Sequence, residues 1–249
     1  MSGLTDPYLK LGRAKIHLDT LKREIDAFQS GKPYEITSYD DPEWQLYVMT
    51  FRLFDVPDDI SLIAGDSLYC LRSCLDQIVW ALAKRLGGIA NPTYTQFPVM
   101  EVDNSDLRKR FNSQTEGIPE IATDAIRRFQ PYHRGTSYKS HPLWRLNALG
   151  NIDKHRRIPA NGSEMVVFFP NAAREFVSAE VVDDNHSRIS VPLAHKDKLQ
   201  LQPNITFKVN FGQGHPADPD SLVEASDGLW EIHDFIRDTV LPAFIRFLP

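Results

Sequence analysis

The chain has 249 residues, 42% apolar and 24% charged, with a formal net charge of −5 at neutral pH. That is long enough to bury a large core and ordinary for a water-soluble globular protein. No stretch approaches the roughly 18 apolar residues of a membrane span, and the first residues lack the basic-then-apolar pattern of a secretion signal, so a cytoplasmic location is expected.

The elements read as follows. Asp6-Pro7 looks like a helix cap followed by proline in the first turn, and Gly31-Lys32-Pro33 looks like a stop. Between them Leu11, Ala14, Leu18, Leu21, Ile25 and Phe28 recur at helical spacing, which predicts a helix over about 7–29. Strands near 34–39 and 45–54 follow, joined by the turn residues Asp40-Asp41-Pro42-Glu43. A long helix over 59–86 opens after Pro57-Asp58 and closes at Gly87-Gly88, with Leu68, Leu71, Leu75, Ile78 and Leu82 as its core face. Shorter helices are expected near 105–111 and 119–129. Gln130-Pro131-Tyr132-His133-Arg134-Gly135 then breaks the chain. Ser140-His141-Pro142 caps a helix over 142–157. Four more strands are expected within 163–211, and a last helix over 219–247 that Pro242 should kink or divide.

Strands and helices come in runs and do not alternate, so the expected class is α+β. The expected architecture is a bundle of about four long helices with an approximately six-stranded, mostly antiparallel sheet packed beside it. One compact domain over 1–249 is the simplest division, since no repeat, low-complexity tract or linker interrupts the chain. Cys70 and Cys74 lie four apart on the long helix, a poor setting for a structural disulfide, and no CxxC pair exists. Reduced, buried thiols are expected, with no metal site and no cofactor.

Charge is unevenly spread. From Arg108 to Arg157 there are eleven Lys/Arg against four Asp/Glu, with His133, His141 and His155 in the same segment. Such a segment can face phosphates, or it can be no more than the solvated faces of surface helices. On the 59–86 helix a second stripe, Tyr69, Arg72, Ser73, Asp76 and Trp80, falls roughly opposite the leucines. On the 142–157 helix Trp144, Ala148, Asn151 and His155 form a matching row. Buried polar groups need partners, so the two rows are expected to meet in a seam holding Arg72, Asp76, Asn151 and His155.

In a functional seam Arg72 would grip a phosphate and His155 would act as acid or base. Asp76 and Asn151 would orient them, Lys154 and Arg156 would extend the positive field, and Tyr69 and Trp144 would line the ligand. The structural alternative is a satisfied polar network that fixes helix register and does no chemistry. Arg128 and His133 are five apart, but Pro131 breaks the helix between them, which argues against a shared helical site. No GxxxxGK[ST], GxGxxG or GxSxG pattern is present.

Gly65-Asp66 through Leu71-Arg72-Ser73-Cys74-Leu75-Asp76-Gln77-Ile78-Val79-Trp80 resembles a pattern, G-D-x-x-x-x-L-R-S-x-L-D-H-x-V-W, of a family of uncharacterised bacterial proteins. Pro142-Leu143-Trp144 through Asn151-Ile152-Asp153-Lys154-His155-Arg156 resembles that family's P-L-W-x-L-x-x-L-x-N-x-D-K-H-R, and Gln130-Pro131-Tyr132 also fits. More distantly, Leu-Arg-Ser-x-x-Asp on a long bundle helix is similar to the motif of HEPN domains, an arginine followed by a histidine. That likeness implies a helical bundle that binds RNA or a nucleotide, often as a homodimer, and in some members cleaves RNA without metal. Gln77 stands where the family's histidine would be, and glutamine cannot serve as a general base. Any cleavage would therefore draw its histidine from elsewhere, with His155 the candidate. The rival expectation is a non-catalytic interaction protein that docks a partner or a second copy through the bundle face, Trp230 and Phe235 included.

Overall fold

The computed structural model describes residues 3–86, 91, 93–155, 158, 161–168, 178–182, 186–198, 204–210 and 225–248. Helix α1 spans Thr5–Ser30 and buries Leu11, Ala14, Leu18, Leu21 and Ile25, the spacing read from sequence. Its cap differs from expectation: Leu4 occupies the N-cap and makes no side-chain cap, while Asp6 lies in the first turn, where its charge complements the helix dipole. Helix α2, Asp58–Arg85, is the centre of the molecule. Beyond the expected leucine row it buries Ala64, Cys70, Cys74, Val79 and Ala83, because α1, α5 and α6 all pack on it. Both cysteines are free thiols, and burial pushes the Cys74 thiol up to about 12, so it stays protonated.

Helices α3 (Ser105–Gln114) and α4 (Glu120–Arg127) follow, then a 3-10 segment over Pro131–Ser140 and helix α5 over Pro142–Asp153. Asn104 caps α3 by accepting from the Leu107 N–H at 2.9 Å. The last helix begins, among the described residues, as α6 (Ala225–Phe235), widens into a π turn over Ile236–Val240 and resumes as α7 (Leu241–Phe244). Pro242 explains the widening. It has no N–H to give and its ring crowds the preceding turn, so the Leu241 N–H reaches back five residues to the Ile236 carbonyl. The expected kink is thus absorbed as a π turn.

Among the described residues six strands form, in two separate sheets. β1 (Tyr34–Asp41), β2 (Leu46–Leu53), β5 (His186–Pro192) and β4 (Ser178–Val181) make an open antiparallel sheet in the order β1-β2-β5-β4. β3 (Asn161–Phe168) pairs only with β6 (Asn204–Asn210), in a separate two-stranded ladder. The expectation of four long helices beside a six-stranded sheet is corrected on both counts. Among the described residues six α-helices form, taking α6 and α7 as one interrupted helix, and the strands divide four and two. Strand propensity says which residues extend. It does not say which strands pair across a hundred residues, as β2 and β5 do.

The hairpin turn is built as its sequence implies: Asp41 Oδ1 accepts from the Glu43 and Trp44 N–H groups, both at 3.1 Å. Gln45 completes it in the left-handed region at φ 52°. Tyr47, Met49 and Phe51 on β2, with Ile189 and Val191 on β5, are buried across the pairs Met49–Ile189 and Tyr47–Val191. They lie outside the large helical core, so the chain has two apolar centres. Trp230 and Phe235 do not offer the docking face that the interaction reading expected. Phe235 packs edge-on against Phe129 at 6.3 Å and His141 at 5.2 Å, and the Lys15 ammonium lies 5.6 Å from the Trp230 ring.

His141 fixes the start of α5. Its Nδ1 accepts from the Leu143 N–H at 3.2 Å, a cap that only the unprotonated nitrogen can make. The ring is 7% exposed. Burial, and then the positive charges of Arg134, His133 and Arg145, hold its pKa down at about 4 from an ordinary 6.5. The unfolded chain therefore binds the proton more readily. Stability from this group is complete above pH 6.5 and falls as the pH drops towards 4. The expected loss across that window is about 3 kcal/mol. Urea unfolding of wild type at several pH values should show that slope, and His141→Asn, which keeps the cap acceptor without titrating, should flatten it.

Candidate functional site

Arg72 and Asp76 do form a network, but its other half is not α5. Arg72 Nε donates to Asp76 Oδ2 at 3.1 Å, and its Nη2 lies 2.9 Å from Oδ1. The same Nη2 donates to the Phe97 carbonyl at 2.8 Å and to Gln96 Oε1 at 3.4 Å. Asp76 Oδ1 in turn accepts from the Phe97 N–H at 2.8 Å. Both backbone polar groups of Phe97, in the loop over 93–104, are thus clasped by one turn of α2. The Phe97 side chain is fully buried behind them. With Nε and Nη2 engaged and the side chain 22% exposed, Arg72 is poorly placed to grip a phosphate. Asn151 and His155 are exposed at the far end of α5 and take no part in the clasp. Trp144 is buried as well: its indole N–H donates to Glu101 Oε2 at 3.1 Å and the ring packs edge-on against Tyr138.

The two family-like segments meet somewhere else. A Cβ placed on Gly65 would lie 2.5 Å from Asp153 Oδ1 and 2.9 Å from its Cγ. Only a residue without a side chain lets the end of α5 seat that carboxyl on α2. The junction gathers Asp66, the next residue on α2; Tyr69, one turn from Gly65 and 66% exposed; and Lys154 and His155, which continue from Asp153 into solvent. From α1 the Lys10 ammonium lies 5.3 Å from the centre of the Tyr69 ring. Burial, and then the Asp66 charge, push the Asp153 carboxyl above its ordinary range.

Of the residues expected to carry chemistry, Tyr69 lies one turn along α2 from Gly65 and Lys154 and His155 directly follow Asp153, whereas Arg72 and Asp76 belong to the loop clasp and Trp144 is internal. Arg156, the helix stop at Gly87-Gly88 and the helix start at Asp218-Pro219 lie outside the described residues. Gln77 is half-buried, its Oε1 without a hydrogen-bond partner among the described residues. Sequence reasoning missed Asp153, Asp66 and Lys10. The signal was available at Gly65, a glycine inside a long helix where helix propensity gives no reason for one.

No group of three or more His, Cys, Asp or Glu among the described residues is arranged to hold a metal ion. No described helix is long and apolar enough to cross a membrane. Set against family models, curated proteins and solved structures, the chain matches none of them significantly.

Proposed function

We propose that this chain binds RNA or a nucleotide at the junction of α2 and α5, in the manner of a HEPN-like bundle. The observation that carries the reading is the seating of Asp153 on Gly65, one turn from the exposed Tyr69, with Lys154 and His155 next in the chain. An exposed ring beside Lys10 is the arrangement that stacks a base while a cation meets its phosphate. His155 is exposed and is the histidine through which any metal-independent cleavage would run. Arg72 has no part in it.

Binding of a fluorescent nucleotide and cleavage of RNA in the presence of EDTA test this together. Tyr69→Ala should weaken binding about tenfold, the loss of one stacked base. Gly65→Ala is the sharper variant. The added methyl displaces the Asp153 carboxyl, which can swing into solvent, while the helix gains up to ~1 kcal/mol in propensity. Binding should fall with thermal stability unchanged or raised. Wild-type affinity in both variants would sink the site, and cleavage that persists unchanged in His155→Ala would remove His155 from any chemistry.

A further inference from the structure

The 3-10 segment Pro131–Ser140 closes on itself. Arg134 Nη1 donates to the Ser140 carbonyl at 2.7 Å and to Ser140 Oγ at 3.1 Å, which ties the two ends of the loop together. Gly135 makes the reversal at φ 55° and ψ −126°, a conformation that a side chain would strain. At the base of the loop the Tyr132 and His133 rings lie 4.2 Å apart, and His133 Nε2 meets the Arg127 carbonyl at the end of α4 at 3.0 Å.

Cations surround this ring pair. Arg108 and Arg127 are close enough to lower the Tyr132 pKa, against burial and Asp103, which raise it. Arg108 is paired with Asp103 and Arg127 with Asp124. Arg110, Arg128 and Lys139 are exposed and have no carboxylate partner among the described residues, and the contacts of Arg134 are with neutral oxygens. Asp103 and Asp124, the carboxylates beside these two arginines, are thus occupied, and the side chains of Arg128, Arg134 and Lys139 remain as positive charge. His141 just beneath feels the same field: after burial, every influence on it comes from a positive or ionisable basic neighbour.

We infer that the face made by the ends of α3 and α4 and the 131–140 loop is a second binding surface, for the backbone of single-stranded RNA. Arg128, Arg134 and Lys139 meet phosphates, and the exposed face of the His133 ring stacks a base. The exposed loop positions 133–137 and 139 carry no large apolar side chain, so the surface lacks what an anionic membrane would need for insertion. The identity of the strand rests on the reading of the α2/α5 junction; the surface itself does not share a residue with it.

The test is anisotropy of a short labelled polyuridine RNA over a salt series, on wild type, the double variant Arg128→Glu with Lys139→Glu, and Tyr69→Ala. Both charge reversals fall on exposed, unpaired side chains, so the fold should hold, and circular dichroism checks that it does. The double variant should bind at least about tenfold more weakly, with a log–log salt slope lower by ~1–2, while a labelled mononucleotide binds as before. Unchanged RNA affinity and slope overturn the surface. If the double variant is silent and Tyr69→Ala abolishes binding of both ligands, the junction stands and this surface falls. If the double variant loses RNA and Tyr69→Ala changes nothing, the surface stands and the junction falls. Binding to phosphatidylserine vesicles that the double variant loses, with no RNA binding by wild type, also overturns it.

Discussion

Replacing Gln130 by Leu should destabilise the protein by about 3–4 kcal/mol. Gln130 is fully buried and every bond it makes is to backbone. Its Oε1 accepts from the Met100 N–H at 2.8 Å, and its Nε2 donates to the Pro98 carbonyl at 3.0 Å and the Ile126 carbonyl at 3.1 Å. One side chain therefore ties the extended 98–100 segment to the end of α4. A leucine of similar volume leaves the Met100 N–H and the Pro98 carbonyl buried and unpaired, which is where most of the cost arises. Gln130→Glu separates this from a packing effect. A carboxylate can still accept from Met100 but faces two carbonyls, so it must take up a proton to bond them. Its destabilisation should grow with pH above the carboxyl range, whereas that of Gln130→Leu should not. Urea denaturation at pH 5 and pH 8 reads both (about these values suffice to bracket a raised carboxyl).

The second large effect belongs to the clasp. Arg72→Ala should cost about 2–3 kcal/mol and leave nucleotide affinity untouched at temperatures where the variant is folded. The mutation frees the Phe97 carbonyl and leaves Asp76 with a single charge-assisted partner, the Phe97 N–H. The side chains are 22% and 32% exposed, which keeps the penalty below that of a fully buried pair. Asp76→Ala should cost a similar amount, and the double variant less than the two together, with about 1–2 kcal/mol of coupling. Additive losses would mean that the two residues act separately. A loss of nucleotide binding larger than the loss of stability would return Arg72 to the ligand site.

These two networks show where a sequence stops being informative. The hexapeptide Arg72 to Gln77 announced itself as polar residues on an apolar helix, and the helical wheel correctly placed Arg72 and Asp76 together at i, i+4. Their remaining partners are peptide groups of Phe97, which carry no sequence signal, because every residue has an N–H and a C=O. A polar row on α5 was the only partner that side-chain chemistry could nominate, and it was the wrong one. Gln130 was recognisable as part of a break before Pro131, yet nothing in the letters says that it would be buried against residues thirty positions upstream.

What the sequence determined by itself is local: helices expected over about 7–29, 59–86 and 142–157, which form over Thr5–Ser30, Asp58–Arg85 and Pro142–Asp153, a hairpin turn at Asp40-Asp41-Pro42-Glu43, a helix cap at Ser140-His141-Pro142 and the α+β composition. Each follows from spacing, turn chemistry or a missing N–H within a few residues. What only the tertiary structure decided is long-range. The strands divide four and two, with β2 and β5 paired across more than a hundred residues, which no local propensity encodes. The candidate site moved from Arg72 to Gly65 because the end of α5 comes to rest where α2 has no side chain, and that is a property of two helices packed together.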